Sequence, residues 1–138
     1  MELKQKILSM LQNNKTGVLA TIRNNKPHSC FMVFFHEELT LYVATDRQSK
    51  KLEDISQNNH VHVLLGRDGK TWDEEFIEVE GTASVEEDAD LKNKFWNNIL
   101  KRWLHGPEDP NYVLLKITPK HIYYIDKAGV IKPQVLSL

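Results

Sequence analysis

The residues most suited to chemistry lie in one short stretch, Thr45, Arg47, Ser49, Lys50 and Lys51, within LTLYVATDRQSKKLEDI. The stretch reads as a strand from Leu39 to Thr45, a tight polar turn, and a helix opening near Ser49. The first turn of a helix has unpaired N–H groups and partial positive charge, so Asp or Glu is favoured there. Lys50 and Lys51 occupy it instead, with the Thr45 and Ser49 hydroxyls and the Arg47 guanidinium nearby. Hydroxyls, free N–H groups and ammoniums converging on one point suit a phosphate monoester. The plainer reading is a solvated lysine pair with Ser49 as an ordinary N-cap, and spacing alone leaves both open.

Other reactive side chains are less organised. His60 and His62, two apart on a predicted strand, share a face, but no third metal ligand stands at fitting spacing. Cys30 is the only cysteine, so no internal disulfide forms, and it sits in an apolar strand as a core residue rather than a nucleophile. No G-x-S-x-G, H-E-x-x-H, Walker loop or G-x-G-x-x-G occurs. Trp72, Trp96 and Trp103 are apolar anchors, and Trp103, beside Gly106-Pro107, is also placed to wall a flat ring.

The elements that must position these groups follow from periodicity. A helix is predicted over 2–13, with Leu3, Ile7, Leu8 and Leu11 on one face. Strands follow at 16–23, 28–36 and 39–45, joined by short turns as an antiparallel meander. After the Lys50-Lys51 helix come strands at 60–66 and 72–85, the second bent at Gly81. Ser84 and Glu87 have capping-box spacing, which predicts a helix from there to about His105, stopped by Gly106-Pro107. The remaining strands are placed at 112–118, 121–126 and from Val130, with Pro119 separating the first two. Seven or so antiparallel strands with three inserted helices indicate a mainly β chain closing as a barrel.

One strand breaks the usual alternation. Cys30 to Phe35 is apolar at six successive positions, so both its faces need cover: the barrel on one side, and a helix, ligand or second subunit on the other.

With 138 residues the chain is long enough for one domain, residues 1–138, with a sizeable core. Eighteen basic residues against nineteen acidic ones give a net charge of −1, and no basic stripe suggests nucleic acid. No apolar run is long enough for a membrane helix, no signal-peptide pattern opens the chain, and a cytoplasmic setting is expected.

Taken together, GVLATIRNNKPHSCFMVFF, LYVATDRQSKKLEDI, HVHVLL, EVEGTA and RWLHGPEDPNYVLLKITPKHIYYID resemble the FMN-binding split-barrel family related to pyridoxamine 5′-phosphate oxidase. The resemblance runs through nearly the whole chain and is strongest to the general stress protein branch. It implies an antiparallel split barrel and a homodimer with FMN at each interface. It also implies phosphate contacts from Thr45, Ser49, Lys50 and Lys51, a flavin ring along Phe31, Met32 and Val33, and Trp103 near that ring from the partner subunit. The function implied is a flavin-dependent oxidoreductase with a small-molecule electron donor or acceptor; a non-catalytic flavin store or sensor is the alternative. Haem or a deazaflavin, held by related barrels, has no distinctive signal here. In the vitamin B6 oxidases the second strand begins with Arg and ends with Lys, where Phe31 and His36 stand in this chain, and a long C-terminal substrate segment has no counterpart before Leu138. Pyridoxamine phosphate is therefore not the expected substrate.

Overall fold

The computed structural model describes residues 2–66, 74–126 and 132–138. Eight strands, β1 (Thr16–Arg23), β2 (Lys26–Val33), β3 (Phe35–Glu37), β4 (Thr40–Asp46), β5 (His60–Leu65), β6 (Phe76–Glu86), β7 (Tyr112–Ile125) and β8 (Gln134–Ser137), form one sheet. Helix α1 (Leu3–Asn13) precedes them, α2 (Lys50–Gln57) joins β4 to β5, and α3 (Ala89–Phe95) follows β6. The sheet order is β2-β1-β5-β6-β7-β4-β3, with β8 also paired to β7, and every pairing in it is antiparallel. The predicted antiparallel split barrel with helical decoration is the fold observed.

The first three predicted strands are not a simple meander. β2 and β3 are consecutive in the chain yet lie at opposite ends of the sheet order, separated by Phe34 alone. β2 pairs with β1, whereas β3 pairs with β4. An unbroken strand cannot serve both edges, so the ladder stops at Phe34, whose N–H donates to the Lys15 carbonyl at 2.6 Å. Phe34 is 2 % exposed and packs in the barrel core with Leu19, Leu41, Val63, Leu115 and Ile117. Its apolar side chain closes the barrel at the point where the chain changes edges.

Period-two alternation places the rest of the core. On β4, Leu41 and Val43 face the barrel, while Tyr42 and Ala44 face a second cluster with Phe95, Leu100, Leu104, Tyr112 and Leu114. The long β7 alternates between the same two clusters, with Leu115 and Ile117 inside and Tyr112 and Leu114 outside. Both faces of its first four residues, Tyr112 to Leu115, are covered, which makes them an unbroken apolar run.

Pro119 does not divide β7. It lies where pairing with β4 has ended at Ile117 and pairing with β8 has yet to begin at His121. On the other side it meets the register shift between Glu80 and Gly81 of β6, so a residue lacking an N–H is accommodated. Where a bend was predicted at Gly81 the ladder shifts register, and the position needs glycine: an added Cβ would stand 2.3 Å from the Thr118 carbonyl oxygen.

The helix predicted to run to about His105 is shorter and begins later. β6 continues through Glu86, and Asp88 caps α3, its carboxylate accepting from the N–H groups of Asp90 and Leu91. Ser84 lies inside β6, so the Ser84/Glu87 capping box does not form. α3 ends at Phe95, and Asn97 opens a separate 3-10 helix, Asn98–Arg102, by accepting from the Ile99 N–H at 3.0 Å. The predicted turn at 67–69, the strand start at Trp72, the turn at 127–129 and the strand start at Val130 fall outside the described residues.

Candidate functional site

A cleft of about 430 Å³ opens between β2, the end of β4, the start of α2 and the 3-10 helix. Its walls include Phe31, Met32, Val33, Thr45, Ser49, Lys51 and Trp103, so seven of the eight residues that the resemblance implies as flavin contacts converge on it. Their separation in sequence, from 31 to 103, is bridged by the sheet and the α3 excursion.

One end is polar. Thr45 is the next-to-last residue of β4 and 4 % exposed, and its hydroxyl donates to the Ser49 hydroxyl at 3.1 Å. Ser49 occupies the N-cap position of α2, yet its side chain makes no capping bond to the helix. The plainer sequence reading of Ser49 as an ordinary capping residue is therefore replaced by a hydroxyl pair beside an uncapped helix start. Lys51 lines the same end and, among the described residues, has no ion-pair partner.

Lys50 behaves differently. It is absent from the cleft walls, and its ammonium lies 3.0 Å from the Glu53 carboxylate on the same helix. The first turn thus carries an acid as well, Glu53, and the lysine excess read from the sequence reduces to Lys51. Arg47 is also turned away. It donates to the Pro110 carbonyl at 3.0 Å and pairs with Glu87, and its backbone N–H donates to the Asn111 carbonyl at 2.7 Å. That guanidinium holds the Glu87 carboxyl below its ordinary range.

The remaining walls are mainly apolar, Phe31, Met32 and Val33 from β2 and Ile99, Leu100 and Trp103 from the 3-10 segment, with Thr16 and Asn97 among them. The apolar strand is covered in part. Phe35 stacks on Phe95 of α3, centroids 5.2 Å apart, so the chain's own helix covers that half. Phe31 remains 79 % exposed, and Cys30 is exposed rather than a core residue because β2 is an edge strand. Trp103 is 50 % exposed and lines the cleft of its own chain.

Asp46, Asn97 and Ile99 also line the cleft without having been singled out. Asp46 follows Thr45 on β4, a signal available from the strand; its carboxylate accepts from the Gln48 N–H at 2.8 Å. Asn97 and Ile99 were hidden because one continuous helix was predicted through them. Two supports were missed as well. Asp109, buried in the loop before β7, accepts from the N–H groups of His105 and Asn111 at 2.9 Å each. Those bonds hold its carboxyl below the ordinary range and fix the loop beside the 3-10 helix. Asp54 of α2 pairs with Arg23 at the end of β1, 2.9 Å at the closest approach.

His60 and His62 are consecutive same-face residues of β5, and no group of three potential metal ligands occurs among the described residues. No helix among them is long and apolar enough to cross a membrane.

Comparison with known proteins places this arrangement. The family model described as pyridoxamine 5′-phosphate oxidase matches residues 3–126. The chain belongs to that family. It is 42 % identical over 137 residues to general stress protein 26 of Bacillus subtilis, covering 99 % of this chain and 97 % of that protein. The crystal structure of general stress protein 26 from Bacillus anthracis superposes with a TM-score of 0.91 at 63 % identity, over 100 % of both chains. A FAD-binding protein from Mesorhizobium loti, 19 % identical, shares the fold with a TM-score of 0.70 over 88 % of this chain and 92 % of that one.

Proposed function

We propose that the cleft binds FMN and that the protein is a flavin-dependent oxidoreductase of the stress-protein branch. The observation that carries the reading is the meeting, in one cleft, of a hydroxyl–ammonium cluster and largely apolar walls. The Thr45 and Ser49 hydroxyls and the Lys51 ammonium fit a phosphate monoester, with charge-assisted bonds the strongest available. Phe31, Met32, Val33 and Trp103 fit the two faces of a planar ring. The volume of about 430 Å³ falls within the roughly 300–1,000 Å³ of small-molecule sites. Lys50 contributes charge from outside the walls rather than a direct bond.

Bound flavin supplies hydride and electron transfer, and the protein supplies position, electrostatics and exclusion of water. Asp46 and Lys51 are the charged side chains on the walls, and both stand near the phosphate end of the proposed site. The apolar walls offer no general acid or base, which suits chemistry carried by the cofactor and equally suits a flavin store or sensor. Pyridoxamine 5′-phosphate is not the proposed substrate, since Phe31 and His36 replace the cationic strand positions of the B6 oxidases.

In this proposal residues 1–138 are one cytoplasmic domain that works as a homodimer. Phe31 on the edge strand β2 and Leu64 on β5, 79 % and 40 % exposed, are apolar surface a second copy would cover. Anaerobic mixing of FMN-saturated protein with a nicotinamide donor tests the enzyme reading. Bleaching of the flavin's visible absorption on the order of seconds, with turnover on readmitting an acceptor, supports it. A yellow protein inert to such donors supports storage or sensing instead.

A further inference from the structure

The two ends of the cleft belong to different parts of the fold. The polar end is carried by β4 and the start of α2, and the apolar wall by β2. β2 is paired only to β1 and runs through Phe34 into β3, so its placement relative to α2 depends on that link and on what joins the β1–β2 hairpin to the helix.

Beside the apolar packing of Ile55, one side-chain ion pair crosses between the hairpin and α2. Arg23 is the last residue of β1, and its register partner Lys26 is the first of β2. Between them Asn24 and Asn25 have φ of 51° and 63°, the two-residue turn with both central residues left-handed, which Asn tolerates. The hairpin end is therefore a stiff platform for the guanidinium. From it Arg23 Nε donates to both Asp54 oxygens at 3.1 and 3.0 Å, and Nη2 lies 2.9 Å from Oδ2. Asp54 is 3 % exposed, on the face of α2 that also buries Ile55, and stands three residues after Lys51. A buried carboxylate on a helix of only eight residues is costly unless paired, and a planar fork aligns its partner in direction as well as distance.

We propose that Arg23 and Asp54 are positioning residues that set the spacing between the phosphate end of the cleft and its apolar wall. The proposal rests on the FMN reading of the same cleft. A ligand that must engage both ends, such as FMN, depends on the pair; one that uses the apolar wall alone depends on it weakly.

Fluorescence titration of the full-length protein with FMN and with riboflavin separates the possibilities. In Asp54→Asn, FMN affinity should fall about tenfold or more while riboflavin changes less than about threefold. Arg23→Lys keeps the charge but loses the fork, and should show the same selective loss in weaker form. It carries the test if Asp54→Asn does not fold. Folding is verified by circular dichroism at the titration temperature. A folded variant with the wild-type FMN-to-riboflavin ratio, or equal losses for both ligands, would overturn the proposal, because the pair would then serve stability alone. If wild-type protein binds FMN no better than riboflavin, the phosphate reading fails first and takes this proposal with it. If Lys51→Ala lowers FMN selectively and neither pair variant does, only the positioning role is lost.

Discussion

Lys50 and Lys51 are adjacent in sequence and opposite in surroundings: one faces Glu53 across 3.0 Å, the other faces the cleft. A charge-assisted hydrogen bond contributes roughly 1.5–3 kcal/mol, so Lys51→Ala should weaken FMN by about ten- to a hundredfold. Lys50→Ala should cost less than about threefold, since an exposed helix pair is worth only a few tenths of a kcal/mol. Equal effects in calorimetric titration would mean that the two ammoniums share the phosphate. Asp54 sets a second residue-scale expectation. The Arg23 hydrogen bonds, more than the opposing burial, hold its carboxyl below the ordinary value of 3.8. Its stabilisation is therefore fully present above that value and fades as pH falls through the lower folded value. Breaking buried pairs costs 3–5 kcal/mol; the Arg23 side chain is 33 % exposed, so about 2–3 kcal/mol is expected for Asp54→Asn near neutral pH. Urea unfolding across acidic pH should show the variant and wild type converging. A constant gap at all pH values would deny the ion pair its role.

At the scale of elements, what the sequence revealed and what it hid have separate causes. β1 was legible to the residue, because the short run GVLATI has polar ends and stops at the Asn24-Asn25 turn. The β4–α2 junction was legible because the strand period ends at a polar turn and Ser49 stands at the N-cap position. The break at Phe34 was not, because six consecutive apolar residues give no period from which to read an edge change. The start of α3 was misplaced because Ser84 and Glu87 have capping spacing, while pairing of β6 with β7 extends through Glu86 and leaves Asp88 as the cap. Tertiary pairing overrode a local signal. Asp88→Ala should thus lower stability by about 1 kcal/mol, while Ser84→Ala should change it by less than about 0.5 kcal/mol. The reverse order in denaturant unfolding would restore the earlier helix start. Phe34→Ala, at the barrel closure, should cost roughly 3–5 kcal/mol, far more than truncating the exposed Phe31 in the isolated chain.

For the molecule as a whole, Phe31 and Leu64 leave apolar surface on the β2 side of the barrel, continuous with the cleft through Phe31 itself. A second copy covering that side would shield the cleft from water. Light scattering should find dimers for the wild type and monomers, or insoluble chain, for Phe31→Asp, because burying an unpaired carboxylate is prohibitive. A soluble dimeric Phe31→Asp protein would move the interface elsewhere. The central claim is narrower than assembly or turnover: one cleft holds the phosphate and the ring of the same ligand. Parallel titration of wild-type protein with FMN and riboflavin reads that claim directly, since the two ligands differ only in the phosphate. With hydroxyls and Lys51 acting on a dianion, FMN should bind about a hundredfold tighter or more. Equal affinities, or no binding of either, would contradict the account.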